Sequence, residues 1–234
     1  MQLNPKQESA KNKVEGPLLI IAGAGSGKTA TLTARVEYMI RDLNINPNQI
    51  MMVTFTNKAA SEMRNRVANT LGVDTPRNIY SRGSFPLIGT FHSIGIYILK
   101  DVLSRFLPEE LAIGLKKDFV IYDESDKLSV LKSILKNKLH LEEKEFPSRQ
   151  IAFYISNAKN SLITAKGYEA EVDSSIKEVV YKAYIEYEKN LSQNNALDFD
   201  DILVKTLALL RIPKILEEYH ERYKYLMVDE YQDT

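Results

Sequence analysis

Apolar and polar residues follow two different rhythms along this chain. Four short stretches are almost continuously apolar: Pro17-Leu18-Leu19-Ile20-Ile21-Ala22, Ile50-Met51-Met52-Val53-Thr54-Phe55, Leu87-Ile88-Gly89-Thr90-Phe91 and Tyr225-Leu226-Met227-Val228. Short apolar runs bounded by turn formers predict strands buried on both faces, as in a parallel sheet. The first is entered through Gly16-Pro17 and left through glycines. Between these runs the apolar residues recur every three or four positions. Residues 29–41 place Leu32, Val36, Met39 and Ile40 on one face, and residues 57–70 do the same with Ala59, Met63 and Val67. Strands alternating with amphipathic helices predict an α/β sheet.

From about residue 101 to about residue 210 the helical rhythm dominates. Residues 125–139 carry Leu128, Leu131, Ile134, Leu135 and Leu139 on one stripe, with Lys127, Lys132, Lys136 and Lys138 expected outside it. Residues 148–162 and 174–191 read the same way, with serines at their N-caps. Asp198 is expected to cap a further helix that turns Ile202, Leu203, Thr206 and Leu210 inward. The expected architecture is an α/β domain with a parallel sheet, residues 1–104 and 192–234, carrying a mainly helical inserted subdomain of residues 105–191.

Composition narrows the classes. The chain has 234 residues, 44% hydrophobic and 26% charged, an ordinary globular balance. Its 31 basic and 31 acidic residues cancel, so net charge lends nothing to a nucleic-acid role, which must rest on local features. Cysteine is absent, which excludes disulfides and thiolate zinc sites. No apolar run approaches the ~20 residues that cross a bilayer, and the N-terminal MQLNPKQESAKNK has no secretory apolar core. A cytoplasmic protein without a membrane partner is expected.

Candidate chemistry begins at Ala22-Gly23-Ala24-Gly25-Ser26-Gly27-Lys28-Thr29, between the first predicted strand and the first long helix. This is a phosphate-loop pattern with Ala22 at its first glycine position. Glycines let backbone N–H groups approach phosphate oxygens, and the following helix N-terminus adds unpaired donors. Lys28 would reach the β- and γ-phosphates of ATP, and the Thr29 hydroxyl would ligate Mg²⁺. Such a loop needs an acidic partner at the end of another buried strand. Asp229 follows Leu226-Met227-Val228 and so is the candidate metal carboxylate; Glu230 is the candidate base for the attacking water. Without the loop, the same acidic pair would simply end a strand at the surface.

Taken in order, AGAGSGKT, VTFTNKAASEM, TFHS, LDFDD and VDEYQDT resemble the superfamily-one DNA helicases of the UvrD/Rep/PcrA type, from about Leu3 to Thr234. The resemblance implies a P-loop NTPase of RecA-like fold with a helical insertion. It implies roles as well. Gln7 would read the adenine edge, since an amide both donates and accepts. Gln232 would link nucleotide state to DNA contacts, or else cap the strand end. Phe55 would stack a base of single-stranded DNA, with Thr56 and Asn57 on phosphate; a core phenylalanine is the plain alternative. His92 and Ser93 would line the same path, and Lys159, within Ile155-Ser156-Asn157-Ala158-Lys159-Asn160, would touch phosphate unless it is a solvated helix lysine. The acidity of Asp198-Phe199-Asp200-Asp201 suits capping and packing better than phosphate. Relatives commonly carry Arg after the loop threonine; Ala30 stands here, which removes that stacking contact on the base.

The family's motor needs a second RecA-like domain, whose arginines neutralise transition-state charge. The expectation is therefore an N-terminal piece of an ATP-dependent 3′-to-5′ helicase acting on single-stranded DNA and single-strand/duplex junctions, with the C-terminal helicase domains as its missing partners. It should hydrolyse ATP poorly alone. The motor portion of a helicase–nuclease and a non-catalytic nucleotide- or DNA-binding module remain as alternatives.

Overall fold

Ile50–Thr54 is wholly buried, and it forms the central strand β1 of a parallel sheet. The structure, a computed structural model, describes residues 3–23, 25–80, 83–107, 111 and 113–233. Strand β2 (Leu87–Thr90) pairs with β1 in the register Met51↔Leu87 to Thr54↔Thr90. On the other side lies β5 (Tyr225–Val228), in the register Ile50↔Tyr225 to Val53↔Val228. The order is β2-β1-β5. All three strands therefore end at one level, and Phe55, Phe91 and Asp229 leave the sheet along the same edge.

Helices cover the sheet because their apolar stripes have nowhere else to go. Helix α2 (Lys28–Arg41) buries Val36 and Met39, and α3 (Asn57–Leu71) buries Met63 and Val67. These side chains meet Ile50, Met52, Phe85, Ile88 and Met227 in one core. Helix α1 (Pro5–Asn12) is different: it buries no residue. Helix α4 (Phe91–Leu103) follows β2, and α9 (Pro213–Arg222) precedes β5.

The stretch 17–22, expected to be a buried strand, is corrected by the structure. No strand forms there, and Ile21 is 88% exposed. A strand exists only when a neighbour completes its ladder, and β5 is paired only with β1 among the described residues. Residues 14–22 instead face β5 across a groove of about 1040 Å³.

The chain divides into two units, 1–97 with 214–234, and 98–213. These limits differ from the expected 1–104, 105–191 and 192–234, because the helix capped by Asp198 belongs to the helical unit. That unit contains α5 (Glu124–Asn137), α6 (Ser148–Asn160), α7 (Ser175–Gln193) and α8 (Phe199–Leu210). Leu131, Leu135, Ile151, Ile155, Val180, Tyr184 and Tyr187 form its core. A two-residue parallel pair, β3 (Val120–Ile121) with β4 (Ala196–Leu197), joins it; it is too short to leave a periodic signal in sequence. Asp198 does cap α8: its side chain accepts from Asp201 N–H while the Asp201 side chain accepts from Asp198 N–H.

Candidate functional site

The loop before α2 is shaped by two glycines in left-handed conformation, Gly25 at φ +73° and Gly27 at φ +87°. Gly27 is also the helix N-cap. The left-handed backbone there favours glycine, and a Cβ would lie 2.9 Å from Gln7 Nε2 and displace that amide from the loop. Gln7 Nε2 donates to the Ser26 carbonyl at 3.0 Å. The Ser26 hydroxyl donates to the Gly23 carbonyl at 2.7 Å. Lys28 Nζ bends back to donate to the carbonyls of Ala22 (3.1 Å) and Gly23 (3.4 Å). Ala24 lies outside the described residues.

Asp229 is buried, with its N–H on the Val53 carbonyl at 2.9 Å, which extends the β1–β5 ladder by one bond. Its Oδ2 accepts from Thr29 Oγ1 at 3.3 Å. Two oxygen donors separated by 200 positions in sequence thus meet at the start of α2. Glu230 has φ +53°, unusual for a residue with a side chain, and Gln232 Nε2 donates to its Oε2. Lys28, Asp229, Glu230 and Gln232 all line the groove beside β5.

The expected DNA-contacting residues fall into three groups. Phe55 is 37% exposed at the end of β1, with its ring 5.1 Å from that of Phe91 at the end of β2. Thr56 caps α3 by accepting from Ala59 N–H, and Asn57 stands exposed as the first residue of that helix. His92 is half-buried in the first turn of α4. The Ser93 hydroxyl donates to the Thr90 carbonyl at 3.0 Å and accepts from Thr90 N–H at 2.8 Å and Thr90 Oγ1 at 3.2 Å, so its one donor and two acceptor sites are engaged in the strand-to-helix turn.

Lys159 is a correction. It is 3% exposed, and its ammonium meets Asp201 (2.8 Å), Glu188 (2.9 Å) and Asp198 (3.1 Å). It is neither solvated nor open to phosphate. Lys127, expected outside its helix stripe, is also buried, pairing with Asp200 at 2.8 Å and Asp198 at 3.3 Å and donating to Ser156. Both lysines sit four residues from buried apolar neighbours, Lys127 before Leu131 and Lys159 after Ile155. That spacing, with the acidic run at 198–201, was the available signal. Burial and the neighbouring carboxylates push Asp201 up to about 7 against the pull of Lys159. Burial would also raise Asp198, but Lys159 and Lys127 overcome it and hold Asp198 at about 2. The same carboxylates raise Lys159, against its burial.

Sequence reasoning missed Arg35. It is buried on α2, and its guanidinium donates to the carbonyls of Ala10 (2.6 Å), Val14 (3.1 Å) and Lys11 (3.5 Å). Nothing in the local pattern marks it beyond a charge within an apolar helix face.

The class that the fold defines is an α/β protein with a parallel sheet, with loop and rim residues gathered at the carboxyl ends of its strands, where ligands of such sheets bind. Within that class, residues 3–234 match the family model of the UvrD/REP helicase N-terminal domain, and the chain belongs to that family. It is 40% identical over 233 residues to the ATP-dependent DNA helicase PcrA of Leuconostoc citreum, covering 99% of this chain and 29% of that protein. It is 41% identical, over the same shares, to the PcrA of Bacillus subtilis strain 168. The PcrA of Staphylococcus aureus strain Mu50 is 40% identical, with 30% of its length covered. The chain thus spans under a third of the relatives it matches.

Proposed function

We propose that this chain is the part of an ATP-dependent, 3′-to-5′ DNA helicase that binds ATP–Mg²⁺ and single-stranded DNA. The contact of Thr29 Oγ1 with Asp229 Oδ2 at 3.3 Å carries this reading. It brings a hydroxyl and a buried carboxylate together beside a glycine loop and a lysine. Oxygen donors of this kind suit Mg²⁺, and Thr29 and Asp229 would hold it; the ion, when bound, neutralises charge on the phosphate oxygens.

Lys28 now satisfies its ammonium on the loop's own carbonyls. Phosphate oxygens would take over those bonds, and the loop's N–H groups and the start of α2 add positive potential. Glu230 would orient and deprotonate the attacking water, with Gln232 fixing its carboxylate. Gln7 uses one N–H on Ser26 and one lone pair on Asn4 N–H. An amide has two of each, so one donor and one acceptor remain, matching the N7 acceptor and N6 amino donor of adenine. Phe55 and Phe91 offer an aromatic ledge to bases. The rest of a longer chain would supply the charge-neutralising arginines that make turnover fast.

Lys28→Ala tests the reading. The lysine makes charge-assisted bonds, worth about 1.5–3 kcal/mol, so affinity for a fluorescent ATP analogue should fall roughly ten- to a hundredfold. Unchanged affinity would mean that the loop does not hold phosphate.

A further inference from the structure

Helix α1 carries Gln7 to the phosphate loop, yet it has no hydrophobic means of staying there. It is eight residues long and buries none of them, and isolated helices of this length are marginal in water. At its N-terminal end it touches the loop through Gln7 and Ser26. At its C-terminal end the last carbonyls lack intrahelical partners. Lys13 N–H takes Ser9 O, and Arg35 takes Ala10 O and Lys11 O together with Val14 O just beyond. Lys11, 5.2 Å over the Tyr38 ring, adds a weaker contact to α2.

Arg35 is only 7% exposed, and its hydrogen bonds go to backbone carbonyls, with Glu15 acting on it only through space. Its direct partners are neutral carbonyls, reinforced by the negative end of a helix dipole. Burial lowers its pKa, although it remains a cation. A generic packing residue would not need that charge. On α2, Arg35 is two turns beyond Lys28, so one rigid helix carries both the phosphate-loop lysine and the anchor of α1.

We propose that Arg35 is a positioning residue for base recognition. By clamping the carboxyl end of α1 to α2, it fixes the distance between Gln7 and the loop, and so sets where the adenine edge is read relative to the phosphates. This rests on Gln7 reading adenine. Arg35 touches neither base nor phosphate; its effect passes through α1.

The test compares ATP with ITP, which differs at the base edge, and with inorganic tripolyphosphate, which has no base. Each competes for a fluorescent ADP analogue on the 234-residue chain. The unsubstituted protein should favour ATP over ITP by about five- to tenfold, a hydrogen bond or slightly more. Gln7→Ala and Arg35→Met should each bring that ratio close to one, and the double substitution should lower it no further. Tripolyphosphate affinity should hold in Arg35→Met and Arg35→Lys, since Arg35 touches no part of the phosphate loop. Arg35→Lys, which keeps a donor near the carbonyls, should restore part of the ratio. Amide exchange should quicken across residues 5–12 in Arg35→Met and not in β1. An unchanged ATP:ITP ratio in Arg35→Met, while Gln7→Ala loses it, would overturn the positioning role. An unchanged ratio in Gln7→Ala would instead remove the adenine role, and Arg35's role with it. Global unfolding of both Arg35 variants would also overturn the proposal, since a clamp on α1 alone leaves α2 and the sheet intact.

Discussion

Replacing Lys159 with methionine separates two incompatible roles for one residue. The methionine keeps an unbranched stem of similar length and removes the ammonium. Three carboxylates then lose their closest cation, and Lys127 remains only for Asp198 and Asp200. Breaking a buried ion pair by deleting one partner costs about 3–5 kcal/mol. The side chain of Glu188 is 35% exposed, so water absorbs part of its loss and the expected cost is near the lower end, about 3 kcal/mol. That is a large share of the ~5–15 kcal/mol that holds a domain together. With a urea slope of ~1–3 kcal/mol per molar, the midpoint should fall by about 1–3 M at pH 7. The loss should shrink at pH 5, because carboxylates deprived of a cation titrate higher and are neutralised by protons. Urea titrations followed by circular dichroism at both pH values provide the check. A loss below about 1 kcal/mol, or the same loss at pH 5 and pH 7, would refute the buried-network account. Weaker single-stranded DNA binding with unaltered stability would restore Lys159 to the DNA path.

The same cluster makes a pH prediction for the unsubstituted protein. Asp201 titrates near 7 when folded against 3.8 when unfolded, so between these values the folded state holds the extra proton. Its stabilising effect is complete below pH 3.8 and is lost as pH rises through 7, and Asp201→Asn should flatten that dependence in pH-stepped urea melts. Asp198 acts oppositely: its contribution is present above 3.8 and is lost as pH falls towards 2. Gly27→Ala should weaken nucleotide binding, since the new methyl meets Gln7 Nε2 and the backbone sits at φ +87°; an unchanged titration with an ATP analogue would contradict this. Phe55→Ala should cost about 1–3 kcal/mol of affinity for a labelled oligonucleotide with little sequence preference, and equal binding at low salt would take the Phe55–Phe91 ledge off the DNA path.

Much of the fold was legible because burial on two faces and burial on one stripe leave different periods in sequence. β1, β2 and β5 stand where the apolar runs placed them, and α2, α3, α5, α6 and α7 lie within a few residues of their predicted spans. The cap at Asp198 was equally local, since an N-cap acts only on the turn that follows it. Residues 17–22 failed the same logic: an apolar run reports a tendency to be buried, while a strand also requires a neighbour's hydrogen bonds. Lys127 and Lys159 failed it differently. A charged residue on an apolar stripe is read as solvated until its counter-charges are known, and those come from 198–201 and from Glu188.

By itself, then, the sequence marked most of the strands and helices, though not the fate of residues 17–22 or the short pair β3–β4, and which residue types could bind phosphate, metal or a base. Those follow from local period, side-chain chemistry and backbone freedom. The tertiary structure decided which of them meet. The parallel register sets Phe55, Phe91 and Asp229 on one edge. It also brings Asp229 to Thr29 across 200 positions. Arg35 holds the helix that carries Gln7, and Lys159 is withdrawn into a buried charge network. No local pattern encodes such contacts, because each depends on the surface that another part of the chain presents.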